Sequence, residues 1–410
     1  MGDLQELVIS RVGAQGDGVA ETAIGPVFVP YTLAGERVRC DVSGERAALR
    51  EVLSAAADRI APVCRHFGTC GGCAVQHMAP EAYRAWKREL VTAAFAARGI
   101  DAQIADMVVP KGLRRRAVFS AERHQDGVTL GFHAAGSHDL VDVSECPVLE
   151  PKIVNALPGL RALVAPLMAP RAELRMGVTL TKSGLDVTLE GIKRKLSPDV
   201  RTRIAVAAAA LNLARVSVEG EPVYQAVLPV LKFGTAEVAV PPGIFVQAND
   251  DAEAAIAAMI VAELGKVKSV ADLFSGVGAF TFPISVKAKV SAFDSDASAI
   301  AALAQGVKTA TGIKPVTVCV RDLFREPLSA MEINEFDAVV FDPPRAGADA
   351  QARMLAKSKV KTVIAVSCNP ATLARDARTL IDGGYRLDAV TPIDQFHYTA
   401  HVEAVAVFRH

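Results

Sequence analysis

Ala271-Asp272-Leu273-Phe274-Ser275-Gly276-Val277-Gly278-Ala279-Phe280 joins an apolar run to a helix-forming stretch, and its reading decides the fold. The run 270–274 is predicted as a strand, and Gly276 and Gly278 let the backbone approach a ligand while the following helix offers free N–H groups. Asp294 closes the next apolar run 22 residues after Asp272, where a carboxylate can accept both hydroxyls of a ribose. Thr281 occupies the place of the third glycine in G-x-G-x-x-G, so the dinucleotide fingerprint fails. Asp272 would repel a pyrophosphate but suits the sulfonium and amino group of S-adenosylmethionine. The plain alternative for each carboxylate is a helix cap or a surface group.

Outward from this stretch, strand candidates at 270–274, 290–294, 316–320, 338–341 and 360–367 alternate with alanine-rich helical segments. That alternation predicts a doubly wound α/β sheet, closed by an antiparallel hairpin of 385–391 and 403–408. Upstream, short strands at 7–9, 27–29 and 37–40 between glycine turns predict a small OB-like β-barrel. Pro80 opens a helix through Arg98 with Gly99 as its cap, and Trp86 falls on its apolar face as a core residue. Further β-like segments at 117–121, 128–133, 175–181 and 185–190 make a mixed α+β centre. The expected domains are therefore 1–57, 58–242 and 243–410.

At 410 residues and 51% hydrophobic, the chain can bury more than one core. Its 45 Lys+Arg balance 45 Asp+Glu, so no global field points to a polyanion. Residues 59–123, however, hold eleven Lys/Arg against five Asp/Glu, including Arg114-Arg115-Arg116. That run and Lys193-Arg194-Lys195 with Arg201 and Arg203 are either RNA-contacting surface or ordinary solvated faces. Met1-Gly2-Asp3-Leu4-Gln5-Glu6 lacks a signal-peptide core, and Glu6 stands where myristoylation requires Ser or Thr. With no long apolar run, a cytoplasmic protein without membrane contact is expected, and no obligate protein partner is evident.

Asp342-Pro343-Pro344-Arg345 follows the fourth strand, and its prolines fix the backbone that aims the carboxylate into the cleft. Amino-group methyltransferases carry an aromatic residue where this chain has Arg345, which argues against exocyclic-amine chemistry. Cys368 ends the run Val363-Ile364-Ala365-Val366-Ser367 and precedes Asn369-Pro370. A thiol at the carboxyl end of a buried strand is a candidate nucleophile, with a structural core cysteine as the alternative. Cys40 and Cys319 lie in strand patterns and are expected in the core.

Five segments in order carry a resemblance: Phe245-Val246-Gln247-Ala248-Asn249, 272–278, 342–345, Ser367-Cys368-Asn369-Pro370, and Asp394-Gln395-Phe396-His397-Tyr398-Thr399-Ala400-His401-Val402-Glu403. Together they resemble the RNA uracil-5 methyltransferase family. The resemblance implies a C-terminal class I, Rossmann-like methyltransferase domain and an N-terminal TRAM domain. It implies that Cys368 adds to carbon 6 of uracil and that Glu403 removes the carbon 5 proton. It also implies that Gln247, Phe274, Asp294 and Asp342 contact S-adenosylmethionine, with Asp322 beside the adenine as in class I methyltransferases. Barrel and cysteines together look most like the 23S rRNA enzymes, with tRNA as the second substrate class. His397 stands where the family has proline, which bears on the rigidity of the last loop. His397 and His401 fall in an irregular segment and are read as loop hydrogen-bonding groups. A decayed, non-catalytic RNA-binding module would have lost Cys368 or Glu403, and both are present.

Cys64, Cys70 and Cys73 share one loop around Gly71-Gly72, and Cys146 can supply a fourth thiolate. Four thiolates satisfy either zinc or a cubane iron–sulfur cluster. The family resemblance implies a [4Fe-4S] cluster on this spacing, with zinc the lesser alternative.

Overall fold

The computed structural model describes residues 3–169, 172–192 and 195–410. Met1, Gly2, Lys193 and Arg194, and with them the start of the chain and part of the second basic stretch, lie outside the described residues.

The C-terminal sheet follows the expected strands closely. Its members are β1 (Ser269–Leu273), β2 (Lys289–Asp294), β3 (Val316–Val320), β4 (Ala338–Phe341), β5 (Thr362–Ser367), β6 (Arg386–Ile393) and β7 (Glu403–Arg409). Their order is β3-β2-β1-β4-β5-β7-β6, with β1 to β5 parallel and β7 antiparallel to both neighbours. Strands β4 and β5 are buried along their whole length, as Val/Ile-rich parallel strands covered on both faces should be. Edge strand β3 has one uncovered side, and this leaves Cys319 exposed rather than in the core as expected, while Cys40 is buried. The strand order reverses between β1 and β4, so the carboxyl ends of these two strands open a crevice. Because β7 runs antiparallel to β5, with Ala404 opposite Ser367, its first residue, Glu403, reaches the same edge of the sheet.

Residues 3–54 form a six-stranded sheet in the order Asp3–Val8, Arg37–Ser43, Arg46–Ser54, Gly25–Val29, Gly18–Thr22, Arg11–Val12. Register shifts at Arg37/Val38 and Arg39/Cys40 bend its long hairpin around a core of Leu7, Ile9, Val27, Val29 and Val38. The central region is a seven-stranded mixed sheet running from Glu221–Gln225 to Leu140–Asp142. Helices Pro151–Val164 and Pro198–Ala210 supply Ile153, Leu157, Leu160 and Ile204 to its core.

Two segments expected with the centre belong to the C-terminal core instead. Helix α1 (Pro80–Ala96) ends two residues before Arg98 and buries Val91 and Phe95 against β1, β4 and β5. Beyond it, Ile104 and Val108 bridge in parallel to Val390 and Ile393, extending the β6 edge. The hairpin Val230–Phe233/Ala236–Ala239 packs with helix Ala297–Thr309. Trp86 is buried, and its indole N–H donates to the Gly13 carbonyl at 3.2 Å.

Candidate active site

A cavity of about 540 Å³ lies at the crevice between β1 and β4. Of the sequence-predicted residues, Gln247, Phe274, Gly276, Asp294, Asp342, Cys368 and Glu403 line it. Phe274 has φ of 60°, a left-handed conformation unusual for an aromatic residue, and it turns the chain sharply from β1 into the loop. The Gly276 N–H donates to Asp294 Oδ2 at 2.9 Å, which fixes the carboxylate at the end of β2.

Three expected ligands do not reach the cavity wall. Asp322 instead caps a turn, its Oδ1 accepting from Phe324 N at 3.0 Å and Arg325 N at 3.3 Å. Gly278 (φ 98°) packs so closely that an added Cβ would lie 2.5 Å from Leu303 and 2.9 Å from Phe282. It therefore serves helix packing. Asp272 is buried beneath the floor and accepts from the Thr281 hydroxyl.

Carboxylates dominate the electrostatics. Burial, followed by the charge of Asp272, pushes Asp342 up to about 7. Asp272 itself is carried by burial, against the Thr281 bond, to about 7. Burial and then Asp342 raise Glu403 well above the usual carboxylate range. Such a set favours a ligand that brings positive charge. The Cys368 thiol is raised to about 11 by burial and by the charges of Glu403 and Asp342, with Arg345 acting in the opposite direction. Arg345 is also the cavity's arginine, and it faces His401 Nδ1 at 3.5 Å. His401 thus sits on the cavity wall in addition to belonging to the loop.

The sequence reading missed the groups that hold this site. The Arg114-Arg115-Arg116 run, read as surface, sends each side chain to a different part of it. Arg114 donates to the His397 carbonyl at 3.2 Å and lies over the Phe396 ring. Arg115 is buried, paired with Glu253 at 2.7 Å, and donates to the Gln247 carbonyl at 3.0 Å. Arg116 lies over the Phe245 ring at 5.6 Å. Three consecutive residues at the entry to a strand diverge in this way because alternate side chains take opposite faces.

A buried lysine anchors the 394–403 loop. Lys87 of α1 pairs with Asp394 and donates to the Phe396 and His401 carbonyls at 2.9 and 2.8 Å. Tyr83 and His397 bond the second Asp394 oxygen at 2.8 and 2.9 Å. Burial works against the Asp394 carboxylate, but the bonds from His397 and Lys87 hold it down at about 2. His397, in place of the family's proline, thereby ties the loop by a side-chain bond. Lys87→Met leaves this carboxylate buried without its cation and is expected to destabilise the protein by about 3–5 kcal/mol. The measurement is the urea unfolding midpoint, and an unchanged midpoint would show that the loop is held by other contacts.

A second cavity, of about 230 Å³, is lined by Cys64, Cys70, Cys73 and Cys146. Gly72 N–H donates to Cys70 Sγ at 3.4 Å, and Arg114 is part of the wall. A Cβ on Gly71 would meet the His133 carbonyl at 2.8 Å, so only glycine permits the loop to lie against 133–135. Burial raises the Cys146 thiol to about 11. Among the described residues no three His, Cys, Asp or Glu are grouped to hold a single metal ion. The four thiols line this one cavity together with Gln76 and Glu145.

Residues 241–410 match the tRNA (uracil-5-)-methyltransferase family. An uncharacterized RNA methyltransferase of Brucella suis is 48% identical over 98% of this chain and 97% of its own length. The 23S rRNA (uracil(1939)-C(5))-methyltransferase RlmD of Chromohalobacter salexigens is 34% identical over 97% of this chain and 88% of its own. Among solved structures, the Pyrococcus abyssi tRNA (uracil-54, C5)-methyltransferase with S-adenosyl-L-homocysteine has the same fold. It aligns with a TM-score of 0.75 at 22% identity over 98% of this chain and 100% of its own. No helix among the described residues is long and apolar enough to cross a membrane.

Proposed function

This chain belongs to the RNA uracil-5 methyltransferase family, and from that premise we propose that it methylates carbon 5 of a uridine in 23S rRNA through a covalent cysteine–uracil adduct. The observation that carries the reading is the convergence of Cys368, Asp342 and Glu403 on one cavity that also holds Gln247, Phe274 and Asp294.

S-adenosylmethionine supplies a methyl carbon activated by its sulfonium. Asp294 would hold the ribose hydroxyls, Gly276 and Phe274 would contact the adenosine, and Gln247 and Asp342 would hold the cationic end. Carbon 5 of uracil is a weak nucleophile. Cys368, having lost its proton, bonds through sulfur to carbon 6, and the ring double bond moves to place negative charge on the carbon 4 oxygen. Carbon 5 then takes the methyl group, and the sulfonium keeps the electron pair of the broken bond. Glu403 removes the carbon 5 proton, and that electron pair restores the ring double bond and expels the Cys368 thiolate. A uridine within folded RNA is flipped out to enter.

The bent N-terminal sheet serves as the TRAM-like OB barrel of residues 1–57, and 58–242 form a central domain whose sheet and cysteine loop present an RNA-contacting surface, apart from helix Pro80–Ala96 and the Val230–Phe233/Ala236–Ala239 hairpin, which pack on the methyltransferase core. Residues 243–410 are the methyltransferase domain. Cys64, Cys70, Cys73 and Cys146 would hold a [4Fe-4S] cluster, which would stiffen the loop, and no step of methyl transfer passes through it. The protein acts in the cytoplasm.

The test is nucleoside mass spectrometry of 5-methyluridine in 23S rRNA and tRNA, separated from a strain lacking the gene. Loss from 23S rRNA alone is expected. Loss from tRNA alone would favour the second reading, for which the matching family's tRNA description speaks.

A further inference from the structure

Glu403 does not stand alone in the cavity wall. Its Oε2 accepts from Gln395 Nε2 at 3.0 Å, and the same nitrogen donates to Gln247 Oε1 at 2.8 Å. Gln247 Nε2 in turn donates to Asp342 Oδ2 at 2.8 Å. Two amides thus span the distance between the two acidic groups, and each carboxylate has one oxygen engaged. Glu403 Oε1 is buried with no hydrogen-bond partner. A free buried carboxylate oxygen is expensive unless a substrate group answers it. Gln395 is 1% exposed, and the chain on either side of it is fixed, Asp394 by Lys87, Tyr83 and His397, and the Phe396 carbonyl by Lys87.

We propose that Gln395 is a positioning residue for the final step: its carboxamide holds Glu403 with Oε1 turned to the carbon 5 proton and favours the ionised form that takes it. The proposal rests on the covalent mechanism above. The charged and titratable groups around Glu403 set what the amide must counter. Asp342, after strand β4, disfavours its charge, Glu253 adds a further carboxyl on the wall, and Cys368, Arg345 and His401 also line the cavity. The side-chain N–H of Gln395 is the donor bonded directly to the Glu403 carboxylate. Removing it leaves addition and methyl transfer intact but slows proton removal, so the methylated adduct persists.

The experiment uses the full chain, S-adenosylmethionine labelled in its methyl group, and the ordinary uridine RNA on which the wild-type protein makes 5-methyluridine. Gln395→Met keeps the side-chain length and removes the donor, and Gln395→Asn withdraws the amide by one methylene. Both are expected to lose about tenfold to a hundredfold in turnover. Both are also expected to accumulate a denaturant-resistant protein–RNA adduct that carries the label. The acid limb of the turnover profile moves to higher pH. Trapping on 5-fluorouridine RNA proceeds at the wild-type rate, which verifies folding and RNA binding. Wild-type turnover, or slow turnover without labelled adduct, would overturn the role of Gln395. Glu403→Gln separates the two levels. If that variant accumulates adduct and the Gln395 variants do not, the mechanism stands and the proposal falls. If none accumulates it, the mechanism falls and the proposal with it.

Discussion

Replacing Cys368 with alanine is expected to abolish methyl transfer and covalent capture together, lowering turnover by roughly 10⁴- to 10⁶-fold. The size of the effect follows from the chemistry: without sulfur on carbon 6, carbon 5 has no enolate from which to attack. Burial and the Glu403 and Asp342 charges raise the thiol to about 11, so in the ligand-free protein the thiolate is the minor form at neutral pH. Adduct formation by the unaltered protein on 5-fluorouridine RNA is therefore expected to rise about tenfold per pH unit below the thiol's pKa. Rise and loss are both read on denaturing gels, with S-adenosylmethionine present throughout. Substantial turnover in the alanine variant would mean that the adduct is not on the path.

Glu403→Gln is expected to separate the halves of the reaction. The amide fills the same space but cannot take a proton, so methylation proceeds while release slows by roughly 10²- to 10⁴-fold. Labelled methyl should accumulate in a protein–RNA complex on ordinary uridine, where the unaltered protein leaves little. A variant that releases 5-methyluridine at the normal rate would assign the base elsewhere, with Asp342 the next carboxyl on the wall.

Much of this site was legible in the sequence because its residues sit where a strand run meets a turn. Asp294, Asp342 and Cys368 each close or follow an apolar run that becomes a parallel strand, and one sheet edge collects them. Glu403 joined them because the last two strands form a hairpin, so the start of β7 returns to that edge. The supporting groups were not legible, since their partners are far away in the chain. Lys87 reads as one charged residue on an amphipathic helix, yet it meets Asp394 more than three hundred residues later. Arg115 reads as one of three surface cations, yet it is buried against Glu253. Ile104 and Val108 carry no strand pattern and pair only because β6 offers an open edge. Asp322 shows a local competition: a carboxylate after a strand serves equally well as a turn cap, and here it accepts from the Phe324 and Arg325 N–H groups.

The Cys368–uracil bond is read directly by mass spectrometry of the peptide and nucleotide recovered after the protein is trapped, with S-adenosylmethionine, on 5-fluorouridine RNA. One cross-linked peptide is expected, containing Cys368 and joined to a fluorinated uridine that also carries the transferred methyl group. An unmodified Cys368 peptide beside RNA that has gained the methyl group, or a cross-link at any other residue, would contradict it.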